Sequence, residues 1–326
     1  MILITGGAGF IGSNLQAALA TRGLETVVVD SLGCKGKWQN LARHPPDRII
    51  PPDTLDAFLE TRPPLEMVFH LGAVSSTSAT NGDHTWATNV ELSRRLWTWC
   101  ADHEIRFAYA SSAATYGDGA NGFDDDGSPA GLQRLQPLNL YAWTKHAFDL
   151  TVARRLAVVR ERPPQWVGLK FFNVYGPNEY HKGEMISVVK IKYDEIAAGG
   201  PARLFRSDVA GLPDGHQARD FIWVGDVVDV MLWLFDHPEV NGLFNLGTGR
   251  ARTYLDLAHA VCDAAGKPRA VEFIDMPHKL MGQYQSFTQA RIDRLRAAGY
   301  SGQFTPLEEG IRRYVQQRLV AADPYA

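Results

Sequence analysis

Short apolar runs recur along the first 175 residues, and each is followed by a longer segment with apolar residues at helical spacing. A run of about five apolar residues between turn residues is typical of a strand buried on both faces of a parallel sheet. The predicted strands are residues 1–5, 25–29, 67–71, 106–110 and 166–172. The predicted helices are residues 13–20, 53–62, 89–103 and 140–160. This alternation predicts an α/β fold with a doubly wound parallel sheet.

The first strand-helix-strand unit carries a glycine-rich turn. Residues 6–12 read Gly-Gly-Ala-Gly-Phe-Ile-Gly, and Asp30 follows the second strand. Gly6 permits a tight turn, Gly9 permits close approach of a pyrophosphate, and Gly12 permits the helix to pack on the sheet. Free amides at the helix N-terminus attract the negative phosphates. The order of these elements predicts a dinucleotide-binding (Rossmann) domain.

The alternation loosens after residue 175, and this part of the chain is interpreted as a smaller α/β substrate domain over the carboxyl edge of the sheet. Helices are predicted at 185–198 and 254–265, with a loop at 207–216. The proposed dinucleotide-binding domain comprises residues 1–175 and about 217–250, and the substrate domain about 176–216 and 251–326. An acidic, glycine-rich stretch at 118–131 is predicted to be a mobile loop.

Composition narrows the functional classes. Of the 326 residues, 45% are hydrophobic and 21% are charged, as in an ordinary globular protein. A net charge of -3 gives no electrostatic argument for nucleic acid or an anionic membrane, and no segment approaches the ~20 apolar residues of a membrane span. Cys34, Cys100 and Cys262 are far apart, which argues against a metal site and a disulfide framework. Because the chain opens on a core strand, we expect no cleaved signal peptide and a cytoplasmic location.

The spacing of Gly6, Gly9 and Gly12 resembles that of the extended short-chain dehydrogenase/reductase superfamily, which implies a Tyr and a Lys four residues apart on one helix. Tyr141 and Lys145 meet this expectation. They share a helix face, so the ammonium, together with a positively charged nicotinamide, lowers the phenol pKa and favours its use as a base. Ser112, close to the end of a predicted strand, matches the hydrogen-bonding serine of the superfamily. These residues predict hydride chemistry at a carbinol carbon.

Further motifs narrow the resemblance. Residues 173–177, 219–222 and 244–249 resemble the nucleotide-sugar branch, and residues 181–183, 283–288 and 296–300 resemble its ADP-L-glycero-D-manno-heptose 6-epimerase family. The resemblance implies inversion of C6'' of ADP-D-glycero-D-manno-heptose through a transient 6''-ketone, with enzyme-held NADP. It also implies a small ADP-sugar as substrate, a place in bacterial envelope polysaccharide synthesis, and a homo-oligomer, often a pentamer.

The resemblance assigns roles to residues of this chain. Tyr141 and Lys182 are the two acid/base groups, and Lys145 holds the cofactor ribose and tunes Tyr141. We expect His181 to be a packing or hydrogen-bonding neighbour rather than a base. The expected cofactor contacts are Gly6, Gly9, Phe10, Ile11, Gly12, Asp30, Ser31, Lys37, Leu71, Gly72, Ala73, Val74, Ser75, Thr88, Tyr141, Lys145, Val174 and Lys182. The expected substrate contacts are Ser112, Asn173, Glu184, Ile191, Phe205, Arg219 and Tyr284.

Two signals bear on the choice of cofactor. Asp30 at the end of the second strand favours the free ribose 2'-hydroxyl of NAD. Lys35 and Lys37 in the following loop favour a 2'-phosphate, and the family uses a lysine at the position of Lys37 for NADP. We therefore expect NADP, with NAD as the alternative.

Three positions depart from the family pattern: Leu71 stands where an acidic residue is common, Glu184 replaces a serine, and Ile191 replaces a histidine. They leave open another nucleotide-sugar epimerase or a dehydratase acting at C4. Residues 113–115 carry no acidic residue of the kind that a dehydratase uses. A non-catalytic dinucleotide sensor is a third alternative, but it would not need Ser112, Tyr141 and Lys145 together.

Overall fold

A seven-stranded parallel sheet forms the centre of the molecule, as seen in a computed structural model that describes residues 1–158, 162–277 and 285–326. The strands are β1 (Ile2–Thr5), β2 (Thr26–Val29), β3 (Arg48–Ile50), β4 (Met67–His70), β5 (Arg106–Ser112), β6 (Trp166–Phe171) and β10 (Gly242–Leu246). Their order in the sheet is β3-β2-β1-β4-β5-β6-β10. Every pairing is parallel, which confirms the predicted doubly wound α/β fold.

Helices cover both faces of this sheet. They are α1 (Phe10–Thr21), α2 (Leu55–Glu60), α3 (Gly82–Trp86), α4 (Leu92–Asp102), α5 (Pro129–Gln133), α6 (Leu140–Val158), α8 (Val224–Asp236) and α10 (Asp293–Ala297). Ile2 and Ile4 pack into the core beneath α1 and α8, whereas Leu3 packs into the core on the opposite face. A strand that is buried on both faces needs apolar residues at every position, which explains the uninterrupted apolar runs.

A smaller unit stands beside the carboxyl edge of the sheet. It contains a three-stranded sheet of β7 (Asn173–Tyr175), β9 (Ala218–Trp223) and β11 (Ala251–Thr253), and a pair formed by β8 (Ala202–Phe205) and β12 (Val271–Ile274). Helices α7 (Val188–Ala197), α9 (Tyr254–Ala264) and α11 (Leu307–Tyr314) pack with these strands around a shared core. The predicted domain boundaries stay a proposal. Within residues 217–250, which the sequence assigned to the dinucleotide-binding domain, β9 is hydrogen-bonded in the small sheet, whereas β10 is a strand of the large sheet and α8 packs against that sheet.

Several element boundaries differ from the sequence predictions for local physical reasons. The helix predicted at 89–103 begins at Gly82, because the Asn81 side chain caps it by accepting from the His84 amide at 3.0 Å. A π-helical turn at 87–91 joins α3 to α4. Strand β5 continues to Ser112 because residues 111 and 112 pair with β6, so the strand itself delivers Ser112 to the sheet edge.

The loop predicted at 118–131 is anchored to the large sheet. Phe123 and Asp125 are buried, and one Asp125 carboxylate oxygen accepts from the Asn245 amide of β10 at 2.8 Å. The segment ends in the short helix α5, which Ser128 caps by accepting from the Gly131 amide.

None of the helices in the described ranges has the length and hydropathy needed to cross a bilayer.

Candidate active site

A cavity of about 600 Å³ opens at the carboxyl ends of β1, β4, β5 and β6. Ligands of open parallel sheets bind at this edge, and the volume suits a small-molecule site. Most of the predicted site residues line it: Gly6, Gly9, Phe10, Ile11, Gly12, Asp30, Lys37, Leu71, Gly72, Ala73, Ser75, Ser112, Tyr141, Lys145, Asn173, Val174, Lys182 and Glu184. The fold therefore brings the glycine turn, the Tyr-Lys helix and the segment around Lys182 to one place.

The glycine turn has a backbone that side chains would block. Gly6 has a φ of +69°, and a Cβ there would lie 2.6 Å from the Gly72 amide nitrogen. A Cβ on Gly12 would overlap the Gly6 carbonyl oxygen. The resulting cradle, at the N-terminus of α1, fits the pyrophosphate of a dinucleotide.

Asp30 organises the end of the cavity nearest β2. Its carboxylate accepts from the Ala8 amide at 2.9 Å and from the Ser31 amide at 2.7 Å. Lys37 donates to the same carboxylate at 2.5 Å and lines the same cavity. This end therefore presents a carboxylate for ribose hydroxyls and, beside it, an ammonium for an anionic group.

Tyr141 and Lys145 lie in the first two turns of α6, which begins where Asn139 caps the Ala142 amide at 2.9 Å. The Lys145 ammonium donates to the Ala110 carbonyl of β5 at 2.8 Å. Burial raises the pKa of Tyr141, and its hydrogen bond with Ser112 opposes that increase. Ser112 and Tyr141 are thus hydrogen-bonded neighbours in the cavity wall.

Lys145 is a buried lysine whose pKa is lowered toward neutral pH. Burial lowers the pKa of Lys145 to about 8, and the Asp149 carboxylate on the same helix opposes the decrease. Burial and the nearby Lys145 ammonium lower the pKa of His70 to about 3. His70 bonds to the hydroxyls of Thr5 and Ser93 at 2.7 and 2.8 Å, so it serves the packing of β4 as a neutral side chain.

The buried carboxylate of Glu179 stabilises the segment that carries Lys182. Glu179 accepts from the Ser187 amide and hydroxyl, each at 2.6 Å, and from the Tyr314 hydroxyl at 3.0 Å. The Lys182 ammonium lies 5.1 Å from the centre of the Phe10 ring. Burial lowers the pKa of Lys182, with Glu179 opposing. A lysine with this environment can exchange a proton more readily than a solvated one.

His181 and Asn40 connect this segment to the glycine turn. The Asn40 amide group donates to the Ala8 carbonyl at 2.9 Å and to the Asn178 carbonyl at 3.0 Å, and lies 3.2 Å from His181 Nδ1. Burial and the two nearby lysines, Lys37 first, lower the pKa of His181 to about 4. The His181 imidazole is therefore neutral and within hydrogen-bond distance of Asn40, and its predicted role stays a prediction.

Some predicted contacts lie away from the cavity wall within the described part of the chain: Ser31, Val74, Thr88, Ile191, Phe205 and Arg219. Val74 instead bonds through its backbone to the Asn89 side chain, at 2.8 and 3.0 Å. Arg219 is buried on β9, with its guanidinium 5.6 Å from the Tyr254 ring centre and one donor on the Ala218 carbonyl. The roles predicted for these six residues stay predictions. Tyr284 lies outside the described residues.

The cavity also contains residues that the sequence did not single out. Phe171 ends β6 and Phe172 follows it, and Gln285 enters from the C-terminal part of the chain and donates to the Gly117 carbonyl. The position at the end of a parallel strand could have identified the two phenylalanines. For Gln285 the signal was its place beside Tyr284 in a motif already noted at 283–288.

Comparison with known proteins shows the family to which the chain belongs. Residues 2–247 match the NAD dependent epimerase/dehydratase family, and the chain belongs to that family. It is accordingly a nucleotide-sugar epimerase that uses a nicotinamide dinucleotide. The chain is 47% identical over 329 residues to the ADP-L-glycero-D-manno-heptose-6-epimerase of Nitratidesulfovibrio vulgaris (strain DP4), with 100% of both chains covered. This confirms the family to which the sequence motifs pointed.

Solved structures give the same result. The ADP-L-glycero-D-manno-heptose-6-epimerase of Helicobacter pylori is 27% identical, with a TM-score of 0.80 over 97% of this chain and 95% of that one. The UDP-glucose 4-epimerase of Thermus thermophilus, solved with NAD, is also 27% identical, with a TM-score of 0.74 over 95% and 96% of the two chains. The fold is therefore shared by enzymes of different sugar specificity.

Proposed function

We propose that this enzyme inverts C6'' of ADP-D-glycero-D-manno-heptose to give ADP-L-glycero-D-manno-heptose by transient oxidation to a 6''-ketone. The observation that carries the proposal is that Tyr141 and Lys182, on different elements, line one cavity together with the glycine turn. The full-length relative at 47% identity bears the name of this activity.

Two acid/base groups match the stereochemical demand of the reaction. Bound nicotinamide supplies the hydride acceptor and donor, and the protein must handle the proton of the sugar hydroxyl on either face of the carbon. Tyr141, hydrogen-bonded to Ser112 and close to Lys145, accepts that proton in one orientation. After the ketone presents its other face, a group from a different element is needed, and Lys182 supplies it. Lys145 holds the ribose and supports the Tyr141 phenolate.

NADP is the proposed cofactor, held by the enzyme through the cycle. Lys37 lies on the cavity wall, in contact with Asp30, where a 2'-phosphate would gain a charged hydrogen bond. The alternative is NAD, whose free 2'-hydroxyl would donate to Asp30.

We also propose that the enzyme is a homo-oligomer, pentameric by family resemblance, and that it is located in the cytoplasm. Sedimentation velocity tests the assembly.

Proton NMR of the purified enzyme with ADP-D-glycero-D-manno-heptose, without added cofactor, tests the reaction. Appearance of the L-glycero epimer is the expected result, and it would also show that the dinucleotide is retained and regenerated. If NADP addition still gives no conversion, the 6-epimerase proposal fails. UDP-glucose in a parallel sample tests the C4 alternative, to which the shared fold of the Thermus thermophilus enzyme gives some weight.

A further inference from the structure

A completely buried ion pair lies beneath the proposed active site. The Lys170 ammonium of β6 lies 2.8 Å from the Asp149 carboxylate of α6, and both side chains are 0% exposed. Desolvation of two charges is costly, and buried pairs in proteins can often be replaced by apolar residues without loss of stability. Stability alone is therefore a weak explanation for this pair.

Hydrogen bonds connect the pair to the end of β5. Asp149 accepts from the Ser111 hydroxyl at 2.7 Å and from the Tyr109 hydroxyl at 3.1 Å. Lys170 also donates to the Thr115 hydroxyl at 2.6 Å, and Thr115 donates to the Ser112 carbonyl at 2.8 Å. The pair thus holds the Ser111 side chain directly and the Ser112 carbonyl through Thr115.

Asp149 also lies one helical turn after Lys145, on the same face of α6. Its negative charge raises the pKa of Lys145, which opposes the larger effect of burial on that residue. It also raises the pKa of Tyr141, which adds to the larger effect of burial there. Titratable groups coupled to Lys145 or to the ion pair are Tyr141, His146 and Asp149 on α6, His70 on β4, Tyr109 on β5, Tyr116 shortly after β5, and Lys170 on β6. His70 is neutral at working pH, so Asp149 is the anion of this set.

We propose that Asp149 and Lys170 are positioning residues for the reaction: together they fix the Ser112 segment, and Asp149 places a negative charge one helical turn from the Lys145 ammonium. The proposal rests on the proposed roles of Tyr141 and Lys145, and it is independent of which sugar is bound. Lys170 compensates the buried charge of Asp149 at 2.8 Å.

The test is the double variant Asp149→Asn/Lys170→Met, which removes both charges and leaves no unpaired ion. Loss of the Asp149 charge lowers the pKa of Tyr141 and of Lys145, whereas loss of the more distant Lys170 charge opposes this decrease. Both limbs of the kcat/KM pH profile should therefore move to lower pH, by about one unit in the single variant Asp149→Asn and by less in the double variant. NADP affinity, measured by calorimetry over the same pH range, should decline at a correspondingly lower pH because Lys145 holds the ribose.

The matched control is Lys192→Met/Glu195→Gln, which removes a nearly buried ion pair of 2.8 Å on α7, away from the cavity wall. It should change the thermal midpoint and leave both limbs in place. The single variant Asp149→Asn is the second test, because its amide oxygen still accepts from Ser111 and Lys170. Limbs that stay at their wild-type pH in both Asp149 variants would overturn the proposal. A wild-type enzyme without epimerase activity would instead refute the proposed function.

Discussion

Lys37 and Asp30 meet at 2.5 Å in the part of the cavity where the family resemblance predicts the adenosine ribose. Lys35, two residues earlier, is exposed and lies off the wall of this cavity in the described structure. The sequence presented both lysines as possible partners of a 2'-phosphate. Of these two lysines, Lys37 lines the cavity, because the turn at Gly36, with a φ of +70°, directs the chain back toward Asp30.

We predict that Lys37→Ala lowers NADP affinity by about tenfold or more, since a charge-assisted hydrogen bond contributes roughly 1.5–3 kcal/mol. NAD affinity should stay the same or rise, because Asp30 is freed for the 2'-hydroxyl. Calorimetry with both dinucleotides on cofactor-stripped enzyme gives the ratio. Lys35→Ala is the matched control and should leave it unchanged. An equal loss for both cofactors in Lys37→Ala would contradict the assignment.

We predict that Lys182→Met retains the bound dinucleotide but lowers epimerisation by orders of magnitude, because the second proton-handling group is lost. NMR conversion rates and the cofactor content of purified protein are the two measurements. Lys190→Met serves as control, since Lys190 forms an exposed pair with Asp194 on α7. Wild-type turnover in Lys182→Met would remove this residue from the mechanism.

At the scale of elements, strand ends and their connections place the chemistry. The sequence predicted the strands of the large sheet, because burial on both faces imposes apolar runs. It did not predict that β5 extends to Ser112, since Ser111 and Ser112 are polar and their pairing with β6 depends on partners far away in sequence. The loop at 118–131 is similar: Asp125 is buried against β10 only because the chain returns at Asn245.

Asp125 gives a prediction for this loop. Burial raises the pKa of Asp125 to about 6, with Asp124 adding to the increase and the Asn245 amide and Arg294 opposing it. The folded pKa lies above the unfolded one, so the stability that this group contributes is present below about pH 4 and is lost as the pH rises through 6.

Asp125→Asn should therefore raise the free energy of unfolding at pH 8 by about 3 kcal/mol, with little change at pH 4. Urea titrations at the two pH values measure the difference. Asp124→Asn, at an exposed neighbouring residue, is the control and should show a much smaller pH-dependent gain. A gain of equal size at both pH values for Asp125→Asn would argue against an ionisation effect.

At the scale of the whole molecule, β9 joins the two units. Phe221 packs in the core of the smaller unit and Ile222, the next residue, packs beneath the large sheet. Successive side chains of a strand point to opposite faces, so one strand contributes to two cores. The C-terminal part crosses back as well, with Leu295 and Tyr300 in the large core and Ile311 in the small one.

We predict that the two units unfold in one transition because of this sharing. Ile222→Ala and Leu257→Ala remove buried side chains from different cores, and each should cost about 2–5 kcal/mol. Tryptophan fluorescence and release of bound cofactor should give the same midpoint in each variant. Ile49→Ala, at a residue 41% exposed, is the control. Two separated transitions would show that the units are independent.

The parallel sheet, the glycine turn and the Tyr141–Lys145 pair can all be predicted without the structure, because each depends on residues close together in the chain. Hydrophobic periodicity, turn residues and helical spacing are local features, and they can be recognised in the sequence without knowledge of the tertiary structure. Tertiary structure decided which distant segments meet: Lys182 over Phe10, Gln285 at the cavity wall, and the Lys170–Asp149 pair beneath Ser112. These contacts depend on strand order and crossover connections. Their energies come from burial and charge pairing, which exist only after the sheet has assembled.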